Sequence, residues 1–394
     1  MTDAAAHGRV PEALRDLAPV INAAGTMTAL GASAVPAGTV AVVAEILPRF
    51  VLIEELQARA SAAIAAATGA EAGFVTGCAA AGVTVSVAAT IAGTDPGAIE
   101  RLPDPGGRPA TVVMQTGHLV NYGAPVDQAV RAAGATVRPI GQVTEASVAQ
   151  LRAGLDETVC AGLYVVSHHC VQRGQIPLDA FARACHAHGV PVIVDAASEY
   201  DLRGFLARGG DLVVYSAQKF LAGPTAGIIA GRAGLVAACA AQSRGLGRMM
   251  KPGKEAIAGT IAALDAWAAR GHDAARAAEA ARVAAWEAAL ADTGLGLARI
   301  PDPTGNPITR LRVTPGPAAG CAAWDFAREL AAGRPVVVVR DDGIDRGYFE
   351  LDPCNLDDAQ AATVAERIRA VAERARRGEV ARQEFVDWRE GAET

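Results

Sequence analysis

From residue 110 to residue 230 short apolar runs alternate with helical stretches, and few folds accept that order. The runs are 110–115, 135–140, 159–166, 190–194, 212–215 and 226–230, with helical segments at 124–133, 145–156 and 177–188. Apolar runs of this length suit strands buried on both faces. Strand–helix alternation builds a parallel sheet with right-handed crossovers. Two of the runs end beside chemistry. Pro191–Val194 leads into Asp195, and Leu212–Tyr215 leads through Ser216, Ala217 and Gln218 to Lys219. Ligands of doubly wound sheets sit beyond the carboxyl ends of the strands, so Asp195 and Lys219 are expected to face one crevice.

An amine and a carboxylate at such a mouth suit pyridoxal phosphate. Lysine forms a Schiff base with its aldehyde, and an acid is needed beside the pyridine nitrogen. An ordinary strand-end salt bridge is the competing reading, and lysine usage weighs against it. Lys219, Lys251 and Lys254 are the only lysines, so 33 of the 36 basic residues are arginines. Arginine stays protonated and cannot serve as a Schiff-base amine. Lys219 is therefore expected to hold the aldehyde, with Asp195 keeping the ring nitrogen protonated.

Composition bounds the rest. With 394 residues, two domains are expected. Hydrophobic residues make up 51% and aromatics only 4%, which favours alanine-rich packed helices over a β-sandwich. A net charge of −6 gives no support for a nucleic-acid partner. Seven cysteines without a C-x-x-C pair read as reduced thiols, and the opening MTDAAAHGRVPEALRD lacks the apolar core of a signal peptide. A cytoplasmic protein is expected. Residues 72–94 carry no charge and are long enough to span a bilayer, yet their glycines and threonines favour burial in an α/β core. No metal-ligand spacing and no dinucleotide motif is present.

The expected organisation is an irregular N-terminal arm over 1–50, a large cofactor-binding domain over 51–272, a small α+β domain over 273–377 opening on a long linking helix, and a polar tail over 378–394. Thr76-Gly77-Cys78-Ala79 turns from a short strand into a helix, which reads equally as a phosphate cradle or as tight packing. His118, after the strand ending at Gln115, either stacks on a planar cofactor or caps a helix. His168 follows a strand and is placed to line the crevice. Arg340 ends the run PVVVV and suits a bidentate grip on a substrate carboxylate. His186 and His188, two apart at a helix end, read as favourable charge there and not as a metal site.

INAAGTMTALGAS at 21–33, GAEAGFVTGCAAAG, the VDAAS aspartate, YSAQK with GPTAG, and RMMKPGKE together resemble the selenocysteine synthase-like branch of fold-type I pyridoxal-phosphate enzymes. That branch includes D-glucosaminate-6-phosphate ammonia-lyase. The resemblance covers about residues 20–375. It implies an aspartate aminotransferase-like fold, a mostly parallel central sheet with helices on both faces plus a smaller C-terminal α+β domain. It also implies a homodimer or dimer-based oligomer with sites at the subunit interface. It puts Gly77, Cys78 and Ala79 in the phosphate turn and Ser216 near the phosphate. Thr225 lies where the family contacts the neighbouring subunit's cofactor. Relatives usually read S-G-G-K and G-P-Q where this chain has Ser216-Ala217-Gln218-Lys219 and Gly223-Pro224-Thr225, so the outcome at the reactive amine is open.

The expected activity is chemistry through a Cα carbanion of a small amino acid. β-Elimination of a hydroxyamino acid to a 2-oxo acid and ammonia is favoured by the lyase relatives. Racemisation or aldol cleavage is the runner-up, and a catalytically silent binding protein is the distant alternative. No nucleic acid, membrane or metal partner is expected.

Overall fold

A computed structural model describes residues 12–383; the outermost residues of the expected arm and tail, 1–11 and 384–394, lie outside the described residues. The chain divides into two units. Among the described residues the smaller comprises 12–25, 273–301 and 308–383, and the larger 26–272 and 302–307.

Strand β1 (Val20–Ala23) belongs to the smaller unit. The larger unit holds a seven-stranded sheet of β2 (Ala72–Thr76), β3 (Thr111–Gln115), β4 (Thr136–Ile140), β5 (Val159–Val165), β6 (Val192–Asp195), β7 (Leu212–Ser216) and β8 (Gly227–Gly231), in the order β2-β8-β7-β6-β5-β3-β4. The ladders β4-β3-β5-β6-β7 are parallel, as helical crossovers require. β8 runs antiparallel to both β7 and β2. Only residues 217–226 join β7 to β8, too few for a crossover, so the chain turns straight back.

Both faces of the sheet are covered, and side chains alternate between them. Leu212 and Val214 of β7 join one core with Val83, Val87 and Val130, while Val213 and Tyr215 join the other with Ile64, Phe181 and Leu264. The helix Ala79–Ala92 is almost wholly buried, which explains why it carries no charge. It lies so close to the sheet that a Cβ at Gly82 would sit 2.8 Å from Val214 Cγ1. No helix among the described residues is long and apolar enough to cross a membrane.

A buried acid ties the amino ends of β6 and β7 together. Asp211 Oδ2 accepts the Val192 N–H at 2.7 Å and lies 2.7 Å from His186 Nε2, while Oδ1 takes Arg232 at 3.1 Å. The histidine at the helix end thus has a definite carboxylate partner. Asp211→Ala leaves the Val192 N–H buried and unpaired, and is expected to cost about 2–4 kcal/mol. Denaturant unfolding checks this; a variant midpoint equal to that of the native chain would contradict it.

In the smaller unit β9 (Gly296–Pro301), β10 (Thr309–Thr314) and β12 (Phe349–Leu351) form an antiparallel sheet, and β1 pairs in parallel with β11 (Val336–Val339). Trp286, Phe326, Phe349 and Ile368 fill its core, where the Trp286 indole N–H donates to Ala361 O at 2.8 Å. The segment expected to be irregular thus contains β1 and a ten-residue helix, Ala37–Ile46, and is divided between the units.

Candidate active site

β6 and β7 are adjacent and parallel, with Asp195 in register with Val214. Their carboxyl ends therefore open on the same side. Asp195 is buried, and its Oδ1 accepts the Ala197 N–H at 3.2 Å. Burial pushes its carboxyl up from the usual range; the Lys219 ammonium and the Ala197 N–H pull the other way without cancelling the shift.

Beyond Ser216 the chain makes a tight loop. The Ala217 N–H donates to Ala226 O, Gly223 N–H to Ala217 O, and Ala222 N–H to Lys219 O. Ala222 takes a left-handed φ of +51°, a conformation costing a non-glycine residue about 1–2 kcal/mol. The loop's bonds hold it there. Ser33 Oγ donates to Lys219 O at 2.9 Å, and Lys219 Nζ donates to Ser198 Oγ at 2.6 Å. The reactive amine is thus aimed by its own loop and by the residue three beyond Asp195.

Asp195, Ser216, Gln218 and Lys219 line a cavity of about 340 Å³ within the larger unit. Its opposite wall is the first turn of the helix Ala79–Ala92, with Cys78, Ala79 and Ala80 exposed to it. Cys78 caps that helix, its sulfur accepting the Ala81 N–H at 3.4 Å. The first N–H groups of a helix have no intrahelical acceptor and carry the positive dipole end, so this wall attracts an anion. Gly77 stands behind it: its N–H donates to Met250 O at 2.9 Å, and a Cβ there would sit 2.9 Å from the same oxygen. The RMM turn therefore pins the helix entrance.

Other expected residues fall elsewhere. His118 does not line the cavity. It is buried, its Nδ1 accepts the Val165 N–H at 3.1 Å, and its ring meets Tyr164 edge-on at 4.5 Å. Those contacts tie it to β5. Burial lowers its pKa to about 4. Folding therefore favours neutral imidazole, and stability present above pH 6.5 is lost as pH falls from 6.5 towards 4. The loss from this residue is about 3 kcal/mol. His118→Gln is expected to flatten the stability profile over that window; an unchanged slope in denaturant titrations would contradict it.

His168 is half-buried and packs against His169, the two rings tilted by 44° with centroids 3.8 Å apart. It does not line the cavity, whereas the preceding Ser167 does. Thr225 is exposed in the turn before β8. Arg340, in the smaller unit, is buried with two acids of its own, Asp342 at 2.7 Å and Glu350 at 4.0 Å. The cavity instead presents Thr28, Tyr122, Ser167, Ser198 and Gln218. Tyr122 is held neutral, its pKa raised to about 12 by burial and then by Asp195 and Cys78. Ser198 gave no signal in the sequence, since only the turn after β6 directs it at Lys219.

These features define a class. The overall fold is shared with aspartate aminotransferase from Thermus thermophilus, with a TM-score of 0.54 at 15% identity over 90% of this chain and 92% of that one. The fold is that of the fold-type I pyridoxal-phosphate enzymes. No family model matches the chain. It is 39% identical over 360 residues to D-glucosaminate-6-phosphate ammonia lyase of Salmonella typhimurium, covering 91% of this chain and 97% of the relative. A solved structure of D-glucosaminate-6-phosphate ammonia-lyase superposes with a TM-score of 0.83 at 37% identity, over 91% of this chain and 97% of that one. A Streptomyces 5'-C-glycyluridine monooxygenase-decarboxylase is 38% identical over 89% of each chain. L-seryl-tRNA(Sec) selenium transferase of Nitratidesulfovibrio vulgaris is 26% identical over 66% of this chain and 62% of its own length. The chain belongs to the selenocysteine synthase-like family of fold-type I pyridoxal-phosphate enzymes, in the branch containing D-glucosaminate-6-phosphate ammonia-lyase.

Proposed function

We propose that the chain is a pyridoxal-phosphate-dependent lyase that removes ammonia from a hydroxylated α-amino acid to give a 2-oxo acid. The observation that carries this reading is the convergence of Lys219 and Asp195 on one cavity, in a chain 39% identical to an ammonia lyase.

The residues present fit the cofactor. The first turn of the helix Ala79–Ala92 suits the phosphate, Asp195 the ring nitrogen and Lys219 the aldehyde. Gln218 Oε1 is buried at the cavity without a hydrogen-bond partner among the described residues. A buried acceptor left this way costs about 1–3 kcal/mol until a ligand N–H or O–H reaches it. When bound, pyridoxal phosphate supplies a sink for the electron pair left by a bond broken at the substrate Cα.

The chain's own groups do the rest. Lys219 Nζ is the base placed to take the Cα proton, with Ser198 fixing its direction. Asp195 holds charge at the ring end of the cavity. Tyr122, neutral, stands as a hydrogen-bond donor beside Asp195 and Cys78. Loss of the β-hydroxyl as water gives an enamine, and its hydrolysis gives the 2-oxo acid and ammonia.

A second reading, oxidative decarboxylation, is favoured by the 38% identity to the monooxygenase-decarboxylase. Incubation with D- and L-hydroxyamino acids, including phosphorylated amino sugar acids, separates the two. The lyase reading expects 2-oxo acid and ammonia without oxygen uptake. Oxygen uptake with release of CO₂ would transfer the assignment to the second reading. An inverted enantiomer or an aldehyde would indicate racemase or aldolase chemistry, and no turnover a silent binding protein.

The assembly in this reading is a homodimer. Phe50 is fully exposed, and Val40, Leu47, Leu52 and Ile53 near it in sequence are exposed as well, an apolar surface that a second copy would cover. Exposed Thr225 would then face the neighbouring site. All seven cysteines are unpaired, which suits a reducing compartment.

A further inference from the structure

Residues Asp302–Pro307 belong to the larger unit, although the chain on either side belongs to the smaller. They meet Glu199, the residue after the serine that holds Lys219. Thr304 Oγ1 lies 2.8 Å from Glu199 Oε2 and 2.7 Å from Asp302 Oδ1. Asn306 Nδ2 donates to Thr304 Oγ1 at 3.1 Å and to Asp302 Oδ1 at 3.4 Å, and its Oδ1 accepts the Tyr200 N–H at 2.9 Å.

A threonine hydroxyl has one proton to donate, and ionised carboxylates only accept. One hydroxyl therefore cannot satisfy two carboxylates at these distances. The pattern closes when one acid keeps its proton: Glu199 donates to Thr304 Oγ1, and the threonine proton goes to Asp302. Glu199 is only 3% exposed, so water does not compete for it. Burial and then Asp302 raise its pKa to about 7, against the opposing pull of Thr304, Asn306 and Lys219.

We propose that Glu199, linked through Thr304 to Asp302, is a positioning residue that holds one proton beside Lys219 and thereby sets the charge state of that amine. This rests on the reading of Lys219 as the cofactor-bearing lysine. The titratable groups facing Glu199 are Lys219 from the turn after β7, Asp302, Tyr215 of β7 and Cys170 from the turn after β5. Burial keeps Tyr215 and Cys170 neutral at physiological pH. Lys219 is thus the group that responds when Glu199 ionises. As pH rises through neutrality the new negative charge favours the protonated amine, and below neutrality that support is withdrawn.

The test is a pH titration of the absorption of the protein loaded with pyridoxal phosphate, with the site of attachment fixed by borohydride reduction. The native chain is expected to show a step near neutral pH from Glu199. In Glu199→Gln that step disappears, and the remaining Lys219-linked transition falls by about one pH unit. In Asp302→Asn, where the charge retaining the proton is gone, the step moves to lower pH. A residue that merely packs would shift the melting temperature and leave these profiles in place. A Glu199→Gln profile superposing on the native one would overturn the proposal. Should that variant not fold, an unmoved step in Asp302→Asn would overturn it and a lowered one would support it. Failure of the native chain to form a reducible adduct at Lys219 would instead contradict the cofactor reading, and this proposal with it.

Discussion

Replacing Lys219 with alanine is expected to abolish the borohydride-stable attachment of pyridoxal phosphate and to lower kcat by at least about 10³-fold. Two losses combine in this variant. The covalent hold on the cofactor goes, and so does the base that moves the Cα proton, a step worth about 10²–10⁴-fold by itself. No other lysine can substitute. Among the three, only Lys219 lines the cavity, and Lys254 Nζ is bonded to Arg49 O. The fold should survive, because Lys219 is only partly buried and its loop is held by backbone bonds from Ala217, Ala222 and Gly223. The measurement is kcat together with the absorption of the reconstituted variant. Native turnover in a folded Lys219→Ala protein would refute the assigned role.

Asp195→Asn is expected to bind the cofactor and lose about 10²–10³-fold in kcat. An amide matches the carboxylate in size and can still accept the Ala197 N–H, so the end of β6 should keep its shape. It carries no negative charge. A carboxylate buried at this depth is costly alone, and burial raises its pKa even with Lys219 nearby. A positive ring nitrogen would supply the partner that repays the burial, and removing one such preorganised group typically costs about 2.7–4 kcal/mol in the transition state. Single-turnover proton exchange at the substrate Cα reads the effect directly. Undiminished exchange would show that Asp195 serves the fold and not the chemistry.

The features that the sequence made legible are those with a local cause. The uncharged run from Ala72 to Thr94, whose glycines and threonines favoured burial over a bilayer span, forms β2 and the buried helix beside it. The helix Ile53–Thr68 ends where Gly69 takes a left-handed φ of +74°, a conformation glycine adopts without strain. Strand ends at Asp195 and near Lys219 followed from short apolar runs, and the parallel register brings the two to one cavity.

What escaped has non-local causes. β1 is a strand because it pairs with Val336–Val339, more than 300 residues away, and four residues hold no period that announces such a partner. The helix Ala37–Ile46 buries only Thr39, so it lacks the apolar stripe by which a surface helix is recognised. His118 and Tyr122 stand four residues apart in the segment after β3, and only the path of the backbone decides which enters the cavity. Arg340 sits at a strand end as expected, but Asp342 and Glu350 reach it from the turn and from the neighbouring strand. The docking of residues 302–307 on Glu199 depends on side chains about a hundred positions apart.

The most direct test is to reduce the pyridoxal-phosphate-loaded protein with borohydride, digest it and locate the modified residue by mass spectrometry. The expected result is one pyridoxyl group per chain on Lys219. A label on Lys251 or Lys254, or none on a folded, cofactor-saturated protein, would contradict the active site described for β6 and β7.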